Sequence, residues 1–117
     1  MRKRFWLAAA LIVAMTVPAL ADRRSDAKVE VAFGITCAQT DLWPRAVQQF
    51  VKATEIDPTY AAAWNNLAIG YEQLGQFDEA RKAYDKALAL DHSNQFIRNN
   101  YDQFRDIYDR QNRRRDR

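Results

Sequence analysis

The residue types that carry chemistry are thinly spread along this chain. His92 is the only histidine and Cys37 the only cysteine. A tetrahedral metal site needs further histidines or cysteines at ligand spacing, and His92 has none near it. It follows Asp91 in a turn, where an imidazole can sit against the negative pole of a preceding helix. Cys37 cannot close an internal disulfide. Its place in a helical pattern predicts burial, since free cysteine behaves as a small hydrophobe. There is no glycine-rich phosphate loop and no nucleophile elbow. The residues therefore predict no enzyme, no cofactor and no metal. The remaining concentration of one chemistry is arginine: Arg110, Arg113, Arg114, Arg115 and Arg117. Such a run is either a solvated end or a binder of anionic headgroups, with each arginine worth about 1 kcal/mol near an anionic surface.

The elements that must position any site come from a repeat. Residues 27–60 and 61–94 superimpose on one another without a gap. Gly34 falls on Ala68, Phe33 on Leu67, Ala46 on Ala80, Phe50 on Tyr84, Ala53 on Ala87 and Asp57 on Asp91. Small residues let helix backbones approach, and large ones fill the space beside them, as close packing demands. Two short helices and two turns make a stacking unit of this length, which cannot bury its apolar face alone.

The predicted helices run from about Ala27 to Gln39 and Pro44 to Glu55, from Thr59 to a stop after Leu74, through a fourth with Asp78 and Glu79 in its first turn that closes near Leu90, and from about Asn94 onward. Thr40 or Asp41 is expected to cap the second, with Pro44 in its first turn. Asp57 and Pro58 end it, and Gly75 supplies a left-handed stop after the third. In the last helix Ile97, Tyr101, Phe104 and Tyr108 form one apolar stripe, with Phe96 and Ile107 at its edge and Arg98, Asp102, Arg105, Asp106 and Asp109 opposite. The alternating stretch from Val29 to Phe33 would suit a strand, but repeat register predicts helix. The chain after Gln111 is expected to fray.

Trp64, Leu67, Ala68, Tyr71, Gly75, Ala80, Tyr84 and Ala87 resemble the large and small positions of the tetratricopeptide repeat family. The first unit is more degenerate, with Glu30 and Cys37 standing where the family has tryptophan and tyrosine, and His92 replaces the proline that ends the second unit. The resemblance implies an all-α fold of antiparallel helix-turn-helix repeats, an α-solenoid, closed by a C-terminal solvating helix. It implies a first repeat (27–60), a second (61–94) and a capping helix (95–111); the residues outside these are expected to form a signal peptide (1–21), a short lead (22–26) and a basic tail (112–117).

In that family the first helix of each pair lines a concave groove. The resemblance therefore implies a peptide-binding row of Asn65, Asn66, Ile69, Gln73, Asn99, Asn100 and Gln103, joined by Val31, Ile35 and Gln39. An amide side chain donates and accepts, so such a row can satisfy a peptide backbone; asparagines there can equally bond to their own helix. No pair of basic residues stands ready to clamp a terminal carboxylate.

The first residues bear on location. Arg2, Lys3 and Arg4 precede an apolar run from Phe5 to Val17, then Pro18 and Ala19-Leu20-Ala21. This is the pattern of a secretory signal cleaved after Ala21. An uncleaved inner-membrane anchor is the alternative. Without residues 1–21 the chain has 15 basic and 15 acidic residues, so the alkaline precursor does not point to nucleic acid. Residues 110–117 carry a net +4 and 22–109 a net −4. The expectation is an exported, periplasmic or secreted adaptor that docks a segment of an envelope protein in its groove. Self-association through the exposed first repeat is a further expectation, since about three units are usually needed for a stable stack. The alternative is a membrane-surface or envelope-polymer binder acting through the arginines.

Overall fold

The computed structural model describes residues 20–117; the expected signal segment lies, save for its last two residues, outside them. Five helices follow in order among the described residues: α1 (Leu20–Gln39), α2 (Trp43–Ile56), α3 (Ala61–Gln73), α4 (Phe77–Leu90) and α5 (Gln95–Arg115). Helix α1 pairs with α2 and α3 with α4, while α2 and α1 meet α3, and α5 rests on α4. The alternating stretch 29–33 is helical, as the register predicts.

Both hairpins turn in the same way. Leu42 N donates to Cys37 O at 2.9 Å, and one repeat further on Gln76 N donates to Tyr71 O at 2.9 Å. Each turn needs one left-handed residue. Gly75 supplies it at φ 70° and Asp41 at φ 62°. This corrects the capping expectation: Asp41 occupies the left-handed position, Thr40 Oγ1 donates back to Cys37 O at 3.0 Å, and Leu42 caps α2 without a side-chain bond. Pro44 does lie in the first turn of α2.

Ala27, Ala46, Ala53, Ala63, Ala68, Ala80 and Ala87 are fully buried, with Phe50, Tyr84 and Phe104 the large side chains between them. Of the three glycines Gly34 has the closest neighbour, since an added Cβ would lie 2.5 Å from the Phe50 ring. Its register mate Ala68 keeps a methyl and is still fully buried, so the two units solve the same packing with different volumes. Trp64 is half-buried, and its Nε1 donates to Pro58 O at 2.9 Å. At the equivalent place Arg98 Nε donates to His92 O at 2.7 Å. The missing proline thus leaves this tie intact, because the carbonyl, not the ring, is what is used.

Two expectations at the chain's ends change. The polar lead 22–26 is the first part of α1, which begins at Leu20. Arg24 fastens it to the turn after α2: Nε donates to Asp57 at 2.6 Å, and the guanidinium lies 4.7 Å from the centre of the Tyr60 ring. At the other end α5 does not fray at Gln111 but continues to Arg115. Arginine is a good helix former, and positive charge in a last turn suits the helix dipole. Within α5, Phe104 packs among Phe77, Tyr84, Tyr101 and Tyr108, with ring centres 5.3 to 6.4 Å away.

Candidate peptide groove

Helix α3 is central to the candidate groove. Its Asn66 borders two open hollows. The smaller, about 240 Å³, lies toward α1 and α2 and is lined by Ile35, Ala38, Gln39, Trp43, Phe50, Asn66 and Ile69. The larger, about 430 Å³, opens toward α5, where Leu90, Phe96 and Ile97 give it an apolar side and Asn65, Asn66, Asp91 and Asn94 a polar one.

The three-and-four spacing of one helical face accounts for the smaller hollow. On α1, Ile35, Ala38 and Gln39 fall together; on α3, Asn66 and Ile69 do. Alanine at 38 leaves the gap that a longer side chain would fill, and Trp43 closes it from the start of α2. Ile35 is 38% exposed, so the hollow is apolar yet open to water. A large apolar side chain from another molecule would find dispersion partners there and leave water.

The predicted amide row splits into different duties. Asn65 is buried, and its Oδ1 accepts from Asn100 Nδ2 at 3.2 Å, which ties α3 to α5. Asn66 Nδ2 donates to Ala62 O at 2.8 Å, the local bond open to an asparagine on a helix. Asn99 Oδ1 accepts from Gln95 at 2.9 Å. Gln73 and Gln103 are exposed. Gln103 lines a separate charged depression with Asp102, Arg105, Asp106 and Asp109. Of the seven row residues, only Asn66 and Ile69 share the smaller hollow, and only Asn65 and Asn66 the larger. Trp43, Ala38 and Phe50 complete the smaller one. Sequence reasoning puts these three in the helix pairs and not in a site; the available signal is that Ala38 and Trp43 flank a tight turn.

Arg110, Arg113, Arg114, Arg115 and Arg117 are all exposed at the end of α5 and beyond it. Arg110 and Arg114 flank Ile107 on one shallow depression, while Arg115 faces the α3–α4 turn.

The titratable groups with perturbed environments are structural. Burial raises Asp57, but hydrogen bonds from the Thr59 hydroxyl, Arg24 and the Thr59 backbone, with the charge of Arg24, outweigh it and hold the carboxyl below its usual range. Burial pushes Tyr84 up, and its hydroxyl donates to Glu72 at 2.8 Å. Partial burial raises Glu72 as well, against the opposing effect of that bond. Among the described residues no group of three His, Cys, Asp or Glu side chains could hold a metal, and no helix is long and apolar enough to cross a membrane.

Residues 61–94 match the family "Tetratricopeptide repeat". The chain is 31% identical over 85 residues to the Tetratricopeptide repeat domain-containing protein PYG7, chloroplastic, of Arabidopsis thaliana, a match that spans 73% of this chain and 28% of that protein. It is 29% identical over 73 residues to the TPR repeat-containing protein YpiA of Bacillus subtilis, across 62% of this chain and 17% of YpiA. These relatives are therefore much longer than the part matched. Among solved structures, the Arabidopsis OM64 TPR domain superimposes with a TM-score of 0.69 at 20% identity, across 75% of this chain and 73% of that one. A MamA variant superimposes with a TM-score of 0.63 at 26% identity, across 78% and 66%.

Proposed function

We propose that this chain, a tetratricopeptide repeat protein, is an exported adaptor whose concave side captures a segment of an envelope protein. Its fold is that of protein–protein interaction adaptors, a family generally of non-catalytic scaffolds. The observation that carries the reading is the open apolar hollow between Ile35 and Ile69, with the Asn66 amide at its edge. An apolar anchor in such a hollow, ringed by polar contacts, is the usual energetic centre of a protein interface. Export rests on the basic, apolar and small-residue pattern of positions 1–21. Self-association through the first repeat belongs to the same reading.

Capture from an envelope extract tests it. Ile69→Arg places a charge in the hollow and should abolish capture of a partner retained by the unaltered protein. Asn66→Ala and Asn100→Ala should weaken it less, since both amides already have partners within the fold. Equal retention by Ile69→Arg and the unaltered chain would remove the hollow from the account.

The arginines support a second reading, contact with an anionic membrane or envelope polymer, because five exposed guanidiniums gather at one end of α5. Truncation after Asp109 separates the two. Groove capture should survive it, and surface binding should not.

A further inference from the structure

Helix α1 exposes the positions that its repeat mate α3 buries. Ala63 and Leu67 are 0% and 3% exposed against the first unit, while their equivalents Val29 and Phe33 are 66% and 43% exposed. Gly70, buried where a Cβ would meet Val47 at 2.7 Å, corresponds to exposed Thr36. The outer face of α1 is thus shaped as a stacking surface, with no unit in front of it among the described residues.

Charge selects what covers it. The far side of α5 presents Arg98, Asp102 and Arg105, where the second unit has Trp64, Ala68 and Tyr71. Stacking that end on Val29 and Phe33 would desolvate charges against an apolar face, which costs more than it returns. Head-to-tail growth is thereby disfavoured. Two α1 faces, however, match each other. Asp26 lies seven residues before Phe33, on the same helical stripe, and the Arg45 guanidinium stands 5.6 Å from the centre of the Phe33 ring. A two-fold axis passing near Val29 sets residue 26 of one copy opposite residue 33 of the other. Each Asp26 then meets the Arg45 of its neighbour. Neither side chain has an ion-pair partner among the described residues.

We infer that the occupant is a second copy of this chain, packed α1 against antiparallel α1 in a closed, two-fold dimer. This deepens the self-association part of the functional reading and is independent of groove capture, which lies on another face. Ile69→Arg should therefore lose capture and keep the dimer.

The test is sedimentation of the full chain across micromolar concentrations, with thiol trapping alongside. The unaltered chain should sediment as a dimer that dissociates on dilution, and Phe33→Glu as a monomer of unchanged helicity. Arg45→Glu and Asp26→Arg should each weaken association about tenfold, roughly 1.4 kcal/mol, and the double variant should restore it. Val29→Cys should oxidise to a covalent dimer, while Asp102→Cys should not; buried Cys37 stays out of the reaction. Should Phe33→Glu fail to fold, the two cysteine variants decide. A monomer at every concentration, an open-ended series of species, a charge swap without recovery, or trapping through residue 102 as readily as 29 would each overturn the inference.

Discussion

Helices α1 and α3 occupy the same place in successive units, yet one turns Val29 and Phe33 to water and the other hides Ala63 and Leu67. The difference lies in what stands in front of each helix. A repeat does not own its core; each unit closes the face of the next, and among the described residues the first unit has one face unclosed. The same rule explains the far end, where α5 buries Ile97 and Phe104 on one side and turns charges outward on the other.

Leu67→Ala should cost about 2–5 kcal/mol, since it opens a cavity between units. Phe33→Ala in a dilute sample should stay within about 0.5 kcal/mol, as at other exposed sites. Chemical denaturation midpoints measure both, and equal losses would mean that α1 has a cover of its own. Next in size is Gly34→Ala, expected to cost about 1–3 kcal/mol through overpacking against Phe50 although alanine is the native residue at the equivalent position 68.

The two hairpin turns differ in the same way, with Asp41 in one where Gly75 stands in the other. Asp41→Gly should stabilise by up to about 1 kcal/mol and Gly75→Ala should destabilise by a similar amount, because both positions are left-handed and only glycine adopts that conformation without steric cost. Thermal melts of the two variants should therefore shift in opposite directions. The smallest effect carries a pH signature. Arg24→Ala should cost below about 1 kcal/mol at neutral pH, as its guanidinium is partly exposed. Asp57 has a lowered folded-state value, so the stability its charge contributes is present above the ordinary carboxylate value of about 3.9 and is lost as pH falls through the folded value. The gap between the unaltered chain and Arg24→Ala should accordingly shrink in acid.

Period and register are enough to place α3, α4 and the start of α5, because each apolar position there has a local three-or-four neighbour and a counterpart one unit earlier. They do not place Asp22–Asp26 in a helix. That stretch is too polar to announce itself, and Arg24 is held by Asp57, a residue in another element. Asp41 is ambiguous for a related reason: the residue type suits both a cap and a left-handed turn, and only the bond from Leu42 to Cys37 decides. At the candidate groove the amides are legible as residue types but not their partners. That Asn100 donates to Asn65 depends on how α5 lies on the stack. The smaller hollow owes its depth to Ala38, a residue that stands out in the sequence only for being small.

The most direct test is native-state thiol labelling of Phe33→Cys and Leu67→Cys, each in a Cys37→Ala background and at a dilution where copies are apart. Position 33 should react promptly and become protected as concentration rises, while position 67 should react only through unfolding. Equal rates at the two positions under native conditions would contradict a one-sided stack.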